Sequence, residues 1–281
     1  MREIDCQQIT ESVSELFQEA CLYLPEDVLD AIKRARAVEE SPLAKEVLDS
    51  IVENAEIAAQ EKIPLCQDTG SAVVFLELGQ EVHITGGDLY SAINEGVRRG
   101  YDKGYLRKSL VRQPYSARAN TKDNTPAIIH TDIVPDDKLK IIALPKGGGA
   151  ENMTRLAMLT PAQGGQGVID FVVRAVDEAG SNPCPPVIVG IGIGGTAEQT
   201  LMLAKKALLR ETGKPNPEAE FAELEKEILK QVNNLGIGAM GYGGRVTALA
   251  VHIEVLPAHI TGLPVAVNLQ CHSARHREVI L

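Results

Sequence analysis

Apolar positions recur at helical spacing through the first sixty residues, so the pattern predicts helix over residues 1–63. Ser12 and Glu15 stand at capping-box spacing before a run through Leu16 to Leu22. Pro25 suits the first turn of a second helix carrying Val28, Ile32 and Ala35, and Ser41-Pro42 opens a third that runs to Lys62. After Gly70 the period changes: Ala72 to Leu78 is mostly apolar, with Val73 and Val74, as in a buried strand. A helix is expected from Asp88 through Gly96. The runs 127–134 and 139–144, separated by Pro135-Asp136-Asp137, read as a hairpin.

Further on, a helix over 167–179 leads into Pro183-Cys184-Pro185-Pro186, a strand over 187–193, and the turn Gly194-Gly195-Thr196, which opens a helix to Leu209. Residues 216–234 form a charged amphipathic helix, and 235–244 are Gly-rich. Two last strands, 246–256 and 265–269, bring Cys271 to a strand end. The fold class predicted is α+β: a helical N-terminal segment, then mixed sheets flanked by helices over 64–281, with cysteine-bearing loops at strand ends. No repeat or low-complexity linker divides the chain, so a single domain over 1–281 is expected.

Composition narrows the function. Trp is absent and aromatics are 4% of 281 residues, which leaves no stacking platform for bases. A formal charge of −10 repels nucleic acid and anionic membranes. One stretch departs from that average: between Arg98 and Lys122 eight basic residues face a single acid, Asp102. It reads either as a small-anion site or as a solvated basic face. Residues 1–21 are amphipathic and acid-rich, unlike a signal peptide, and no apolar run approaches the roughly 20 residues a membrane span needs. A cytosolic location is expected, where five scattered cysteines serve metals, catalysis or packing more often than disulfides.

Cys6 and Cys21 fall in the helical segment and read as core. Cys66, Cys184 and Cys271 each lie in a short loop: Leu-Cys-Gln-Asp-Thr-Gly, Asn-Pro-Cys-Pro-Pro and Gln-Cys-His-Ser-Ala-Arg. Three thiolates suit three corners of a cubane cluster whose fourth iron stays open. Without a CxxC pair, the spacing equally fits zinc, buried thiols or a non-catalytic redox scaffold. Asp68, two residues from Cys66, is placed for proton transfer near such a metal. Gly147-Gly148-Gly149 lets backbone N–H groups approach an anion. The polar loop 120–126 and His259 carry no decisive signal of their own, and Gly194-Gly195-Thr196 reads as a tight strand-to-helix turn.

Taken together, Cys66-Gln67-Asp68-Thr69-Gly70, Asp123-Asn124-Thr125-Pro126, Lys146-Gly147-Gly148-Gly149, Cys184-Pro185-Pro186, Gly194-Gly195-Thr196, and His259 with Gln270-Cys271 resemble the class I, iron-sulfur-dependent fumarate hydratases and L-tartrate dehydratases. The motifs run in family order over nearly the whole chain, which resembles the α subunit or N-terminal catalytic half. The resemblance implies a [4Fe-4S] cluster on Cys66, Cys184 and Cys271, with Asp68 as the acid that protonates the departing hydroxyl. It also implies substrate contacts from Gln67, Arg107, Gly148, Gly149 and His259. (S)-Malate to fumarate is the expected reaction, with L-tartrate to oxaloacetate as the alternative. The family's catalytic threonine and further Arg and Lys carboxylate binders lie beyond the segment matched here, so a β subunit is expected to supply them, in an α2β2 assembly.

Overall fold

Val73, Val74, Phe75 and Leu76 are all buried, so both faces of their strand are covered. The computed structural model describes residues 2–281. In chain order the elements are β1 (Arg2–Asp5), α1 (Cys6–Leu22), α2 (Glu26–Val38), α3 (Pro42–Glu61), β2 (Ser71–Gly79), β3 (Val82–Thr85), α4 (Leu89–Lys103), β4 (Ile128–Val134) and β5 (Leu139–Lys146). They continue with α5 (Gly148–Glu151), β6 (Arg155–Leu159), α6 (Gly164–Ala179), β7 (Val187–Ile193), α7 (Ala197–Ala207), α8 (Ala219–Asn233), β8 (Ala248–Val255), β9 (Leu263–Gln270) and β10 (Arg277–Ile280). The fold is α+β, as the sequence predicts. The chain forms two compact units: the first takes residues up to 24, 54–148 and 275–281, the second 25–53 and 149–274.

In the first unit the sheet order is β10-β5-β2-β4, with β2 antiparallel to β5 and parallel to β4. The predicted hairpin of β4 with β5 therefore does not form. β2 is apolar on both faces and takes the interior place, while β4, with His130, Thr131 and Asp132, serves as an edge. Helices α1 and α4 pack together over a core of Val13, Phe17, Ile93, Val97 and Tyr101. The crossing is close because a Cβ on Gly96 would stand 2.7 Å from the Thr10 carbonyl oxygen. α1 begins six residues before the predicted cap: the Asp5 carboxylate accepts from the Gln7 N–H at 2.8 Å, which leaves Ser12 inside the helix.

In the second unit β7 is buried throughout and sits between β8, parallel to it, and β9, antiparallel, in the order β6-β9-β7-β8. Val189, Ile191 and Ile193 face a core shared with α6 and α8. On the opposite face, Gly190 and Gly192 admit α7, whose Ala204 and Thr200 carbonyl oxygens would lie 2.2 Å from an added Cβ.

The β8 side of this unit buries charge. Glu225 accepts from Ile253 N–H (2.8 Å) and Asn216 N–H (3.0 Å) and pairs with Arg210. Beside this pair His252 is buried, with Nδ1–H donating to the Ala207 carbonyl at 3.2 Å. Burial first, then the Arg210 charge, bring the His252 pKa from 6.5 to about 4. Because the folded value lies below the unfolded one, the stability this group contributes is complete above pH 6.5. It is lost as pH falls through about 4. Urea midpoints measured from pH 7 to 4 should decline more steeply for the natural chain than for His252→Gln; parallel curves would refute the assignment.

Candidate active site

The first unit gathers Cys66, Gln67, Asp68 and Gly148. Segment 66–70 is irregular, so its shape comes from side-chain and backbone hydrogen bonds rather than a ladder. The Asp68 N–H points to Cys66 Sγ (3.4 Å), and Cys66 Sγ lies 3.4 Å from Gln67 Oε1. The Asp68 carboxylate accepts from two backbone donors, Gly70 N–H to Oδ1 (3.0 Å) and Gly148 N–H to Oδ2 (2.7 Å). Gly70 is required on two counts: φ is +73°, and a Cβ would meet the Lys146 backbone at 2.5 Å. Added Cβ atoms on Gly147 and Gly148 would reach only to 3.4 and 3.7 Å from Asp68 Oδ2, so the glycine segment lines the carboxylate closely.

Arg107 is exposed on the following loop, and its carbonyl accepts from Thr69 Oγ1 at 3.1 Å. The structure thus brings the loops of Asp68 and Arg107 together. Three more residues of the basic stretch are paired with acids. Arg98 pairs with Glu95 and Asp123, Arg99 with Glu95, and Lys108 approaches Asp102 at 3.5 Å.

In the second unit Cys184 and Cys271 lie on connected loops. Cys184 has φ +57°, a backbone conformation uncommon for a residue with a side chain. Its carbonyl accepts twice from His272, from the backbone N–H (3.2 Å) and from Nδ1–H (3.0 Å). Cys271 follows the last residue of β9 directly, so the same two bonds tie the strand end to the Cys184 turn. The next carbonyl, that of Pro185, accepts from Met240 N–H (2.7 Å) in the Gly-rich run. That run is anchored in turn by the buried Glu39 carboxylate, which accepts from Arg245 N–H (2.7 Å). Burial pushes the Glu39 carboxyl upward, but backbone donors from Ser41, Glu40, Arg245 and Val246 outweigh it and hold the group below the usual range.

His259 is exposed, bonds Thr261 Oγ1 at 2.8 Å, and lines a cavity of about 420 Å³ with Gly164, Phe221 and Ile260. Gly149 lies within α5, where a Cβ would stand 2.9 Å from the Asn182 carbonyl oxygen. Thr196 caps α7 with the help of Gln199, whose Oε1 accepts the Thr196 N–H at 3.0 Å, so that turn is structural.

Three supporting residues escape sequence reasoning: Tyr101, His272 and Arg275. The last two belong to the Cys271 motif, where a signal existed, but Tyr101 reads simply as an apolar-face residue of α4. Among the described residues no group of three or more His, Cys, Asp or Glu side chains forms a ready metal site. Also among them, no helix is long and apolar enough to cross a membrane.

The Cys66–Asp68 loop leads into buried β2 and lies beside the Arg107 loop, which follows α4. Residues 10–280 match the family model described as fumarate hydratase (Fumerase). A protein of Methanocaldococcus jannaschii named putative L(+)-tartrate dehydratase subunit alpha is 45% identical over 272 residues, covering 95% of each chain. The L(+)-tartrate dehydratase subunit alpha of Escherichia coli K12 is 31% identical over 277 residues, covering 98% of this chain and 91% of its own. The chain belongs to the class I fumarate hydratase and tartrate dehydratase family, as an α-subunit-type member, and is a hydro-lyase chain.

Proposed function

We propose that this chain is the α subunit of an iron-sulfur dehydratase that converts L(+)-tartrate to oxaloacetate. The names of its relatives favour tartrate over the malate first expected from the motifs. The malate-to-fumarate reaction stands as the second reading, supported by the description of the family model.

The observation that carries the reading is the Asp68 carboxylate, held by the Gly70 and Gly148 N–H groups two residues from Cys66. Cys66, Cys184 and Cys271 are the proposed ligands of a [4Fe-4S] cluster. The chemistry of the donors supports this: all three thiols are partly exposed, Cys66 Sγ accepts a backbone N–H, and the Cys184 turn is held by His272. When bound, such a cluster supplies an open iron, a Lewis acid toward a substrate hydroxyl. Asp68 delivers a proton to the hydroxyl as the C–O bond breaks, so water leaves. Gln67, Arg107, Gly148, Gly149 and His259 hold the dicarboxylate.

The proton on the neighbouring carbon goes to a base on a β subunit, because the relatives are themselves named as α subunits. A cytosolic α2β2 complex is the assembly proposed. Anaerobic reconstitution with the β-type chain of the same source, assayed in parallel on L-tartrate, malate and fumarate, should give its highest kcat/KM with L-tartrate. Preference for malate would establish the second reading, and stoichiometric zinc without sulfide would overturn both.

A further inference from the structure

Three consecutive carbonyls of the Asp68 loop each accept a hydrogen bond from a buried side chain. Arg275 Nη2 holds the carbonyl of Asp68, the Tyr101 hydroxyl that of Thr69 (2.8 Å), and Asn124 Nδ2 that of Gly70 (3.1 Å), which the Tyr101 hydroxyl also reaches (3.1 Å). Asn124 also reaches the second loop of the site: its Oδ1 accepts from the N–H groups of Ser109 (2.8 Å) and Leu110 (3.3 Å). It is 0% exposed and has φ +59°, a left-handed conformation that Asn tolerates better than most residues. Segments 66–70 and 107–110 belong to no named helix or strand, so no backbone ladder sets the distance between them. That distance depends on side-chain struts, and Asn124 is bonded at both ends.

We infer that Asn124 is the positioning residue that fixes the separation of the Asp68 carboxylate from the Arg107 side chain, and with it the fit to a short dicarboxylate. The inference rests on the roles proposed above for Asp68 and Arg107. One further strut spans the two segments, from Thr69 Oγ1 to the Arg107 carbonyl (3.1 Å), and Asn120 Nδ2 braces the second segment at the Lys108 carbonyl (2.8 Å). A displacement of about 1 Å in a substrate-positioning group costs on the order of 100-fold in rate, so a strut of this kind controls kinetics without touching substrate.

The test uses the iron-loaded complex with its β-type chain and three variants: Asn124→Gly, Asn124→Asp and Arg107→Ala. Glycine adopts the same φ without strain and removes both ends of the strut. Asn124→Gly should raise KM about tenfold or more, and should add little to Arg107→Ala when the two are combined, with iron per chain unchanged. Asn124→Asp keeps the acceptor for Ser109 and Leu110 but sets a carboxylate oxygen against the Gly70 carbonyl. With one end of the strut broken the separation is released, so this variant should raise KM severalfold, about as far as the glycine variant does, and lower kcat about tenfold. A merely structural role would lower the active fraction and the iron content while leaving KM alone.

An unchanged KM in Asn124→Gly, or in Asn124→Asp, overturns the inference. If Asn124→Gly does not fold, the KM and kcat of Asn124→Asp decide alone. A normal KM in Arg107→Ala would instead overturn the reading of Arg107 as a substrate residue.

Discussion

Asp68→Asn should reduce kcat of the reconstituted complex by about 10²–10⁴-fold, the usual worth of a positioned general acid, while iron and sulfide per chain stay at the natural level. The amide is nearly the same size as the carboxylate, so the loop keeps its shape. Chemistry changes in two ways. The group can no longer carry the transferable proton, and one of the two backbone donors, Gly70 or Gly148 N–H, now faces an NH2 instead of an oxygen. The second effect is a local loss of about 1–3 kcal/mol, visible as a lower urea midpoint. It would not by itself remove turnover from molecules that remain folded and loaded. Two results would sink the acid assignment: full activity, or a loss of activity that simply follows a loss of iron. Stopped-assay kinetics with metal analysis on the same preparation distinguish them.

How much of this was legible in the sequence depends on the range of the interactions. β2 and β7 could be read because their residues are buried on both faces and the chain is apolar without interruption there. α2 and α3 could be read because Pro25 and Pro42 mark their starts. Strands β1, β3 and β10 have four residues each, too few to show a period, and they gain their form from distant partners such as β5 for β10. The hairpin expectation fails for a related reason. A turn signal reports that the chain reverses, but not that a third strand from far earlier in the chain, β2, whose Val74 pairs with Ile129 of β4 and Ala143 of β5, has already taken the place between the two halves. At the site, the motif residues were found but their supports were not. Tyr101 looks like any apolar-face aromatic of α4, yet its hydroxyl holds the Thr69 carbonyl. Nothing in local spacing announces a bond across 32 residues.

Cys66→Ser, Cys184→Ser and Cys271→Ser should each bring iron and acid-labile sulfide to background, whereas Cys6→Ala and Cys21→Ala should leave both unchanged. The contrast follows from where the thiols sit. Cys21 is fully buried in α1, and burial, only partly opposed by the Arg275 charge, pushes its pKa to about 11, so it stays a protonated, apolar-packed thiol. The three loop cysteines are partly exposed and sit at or near strand ends, ahead of β2, ahead of β7 and directly after β9. A hydroxyl is a poor ligand for iron, so one serine is enough to remove a corner from a three-thiolate set. Retained iron in a single serine variant would exclude that cysteine as a ligand. Loss of iron in Cys21→Ala, with an unchanged urea midpoint, would show that the metal uses a thiol the fold has buried, and the assignment of all three loops would fail with it.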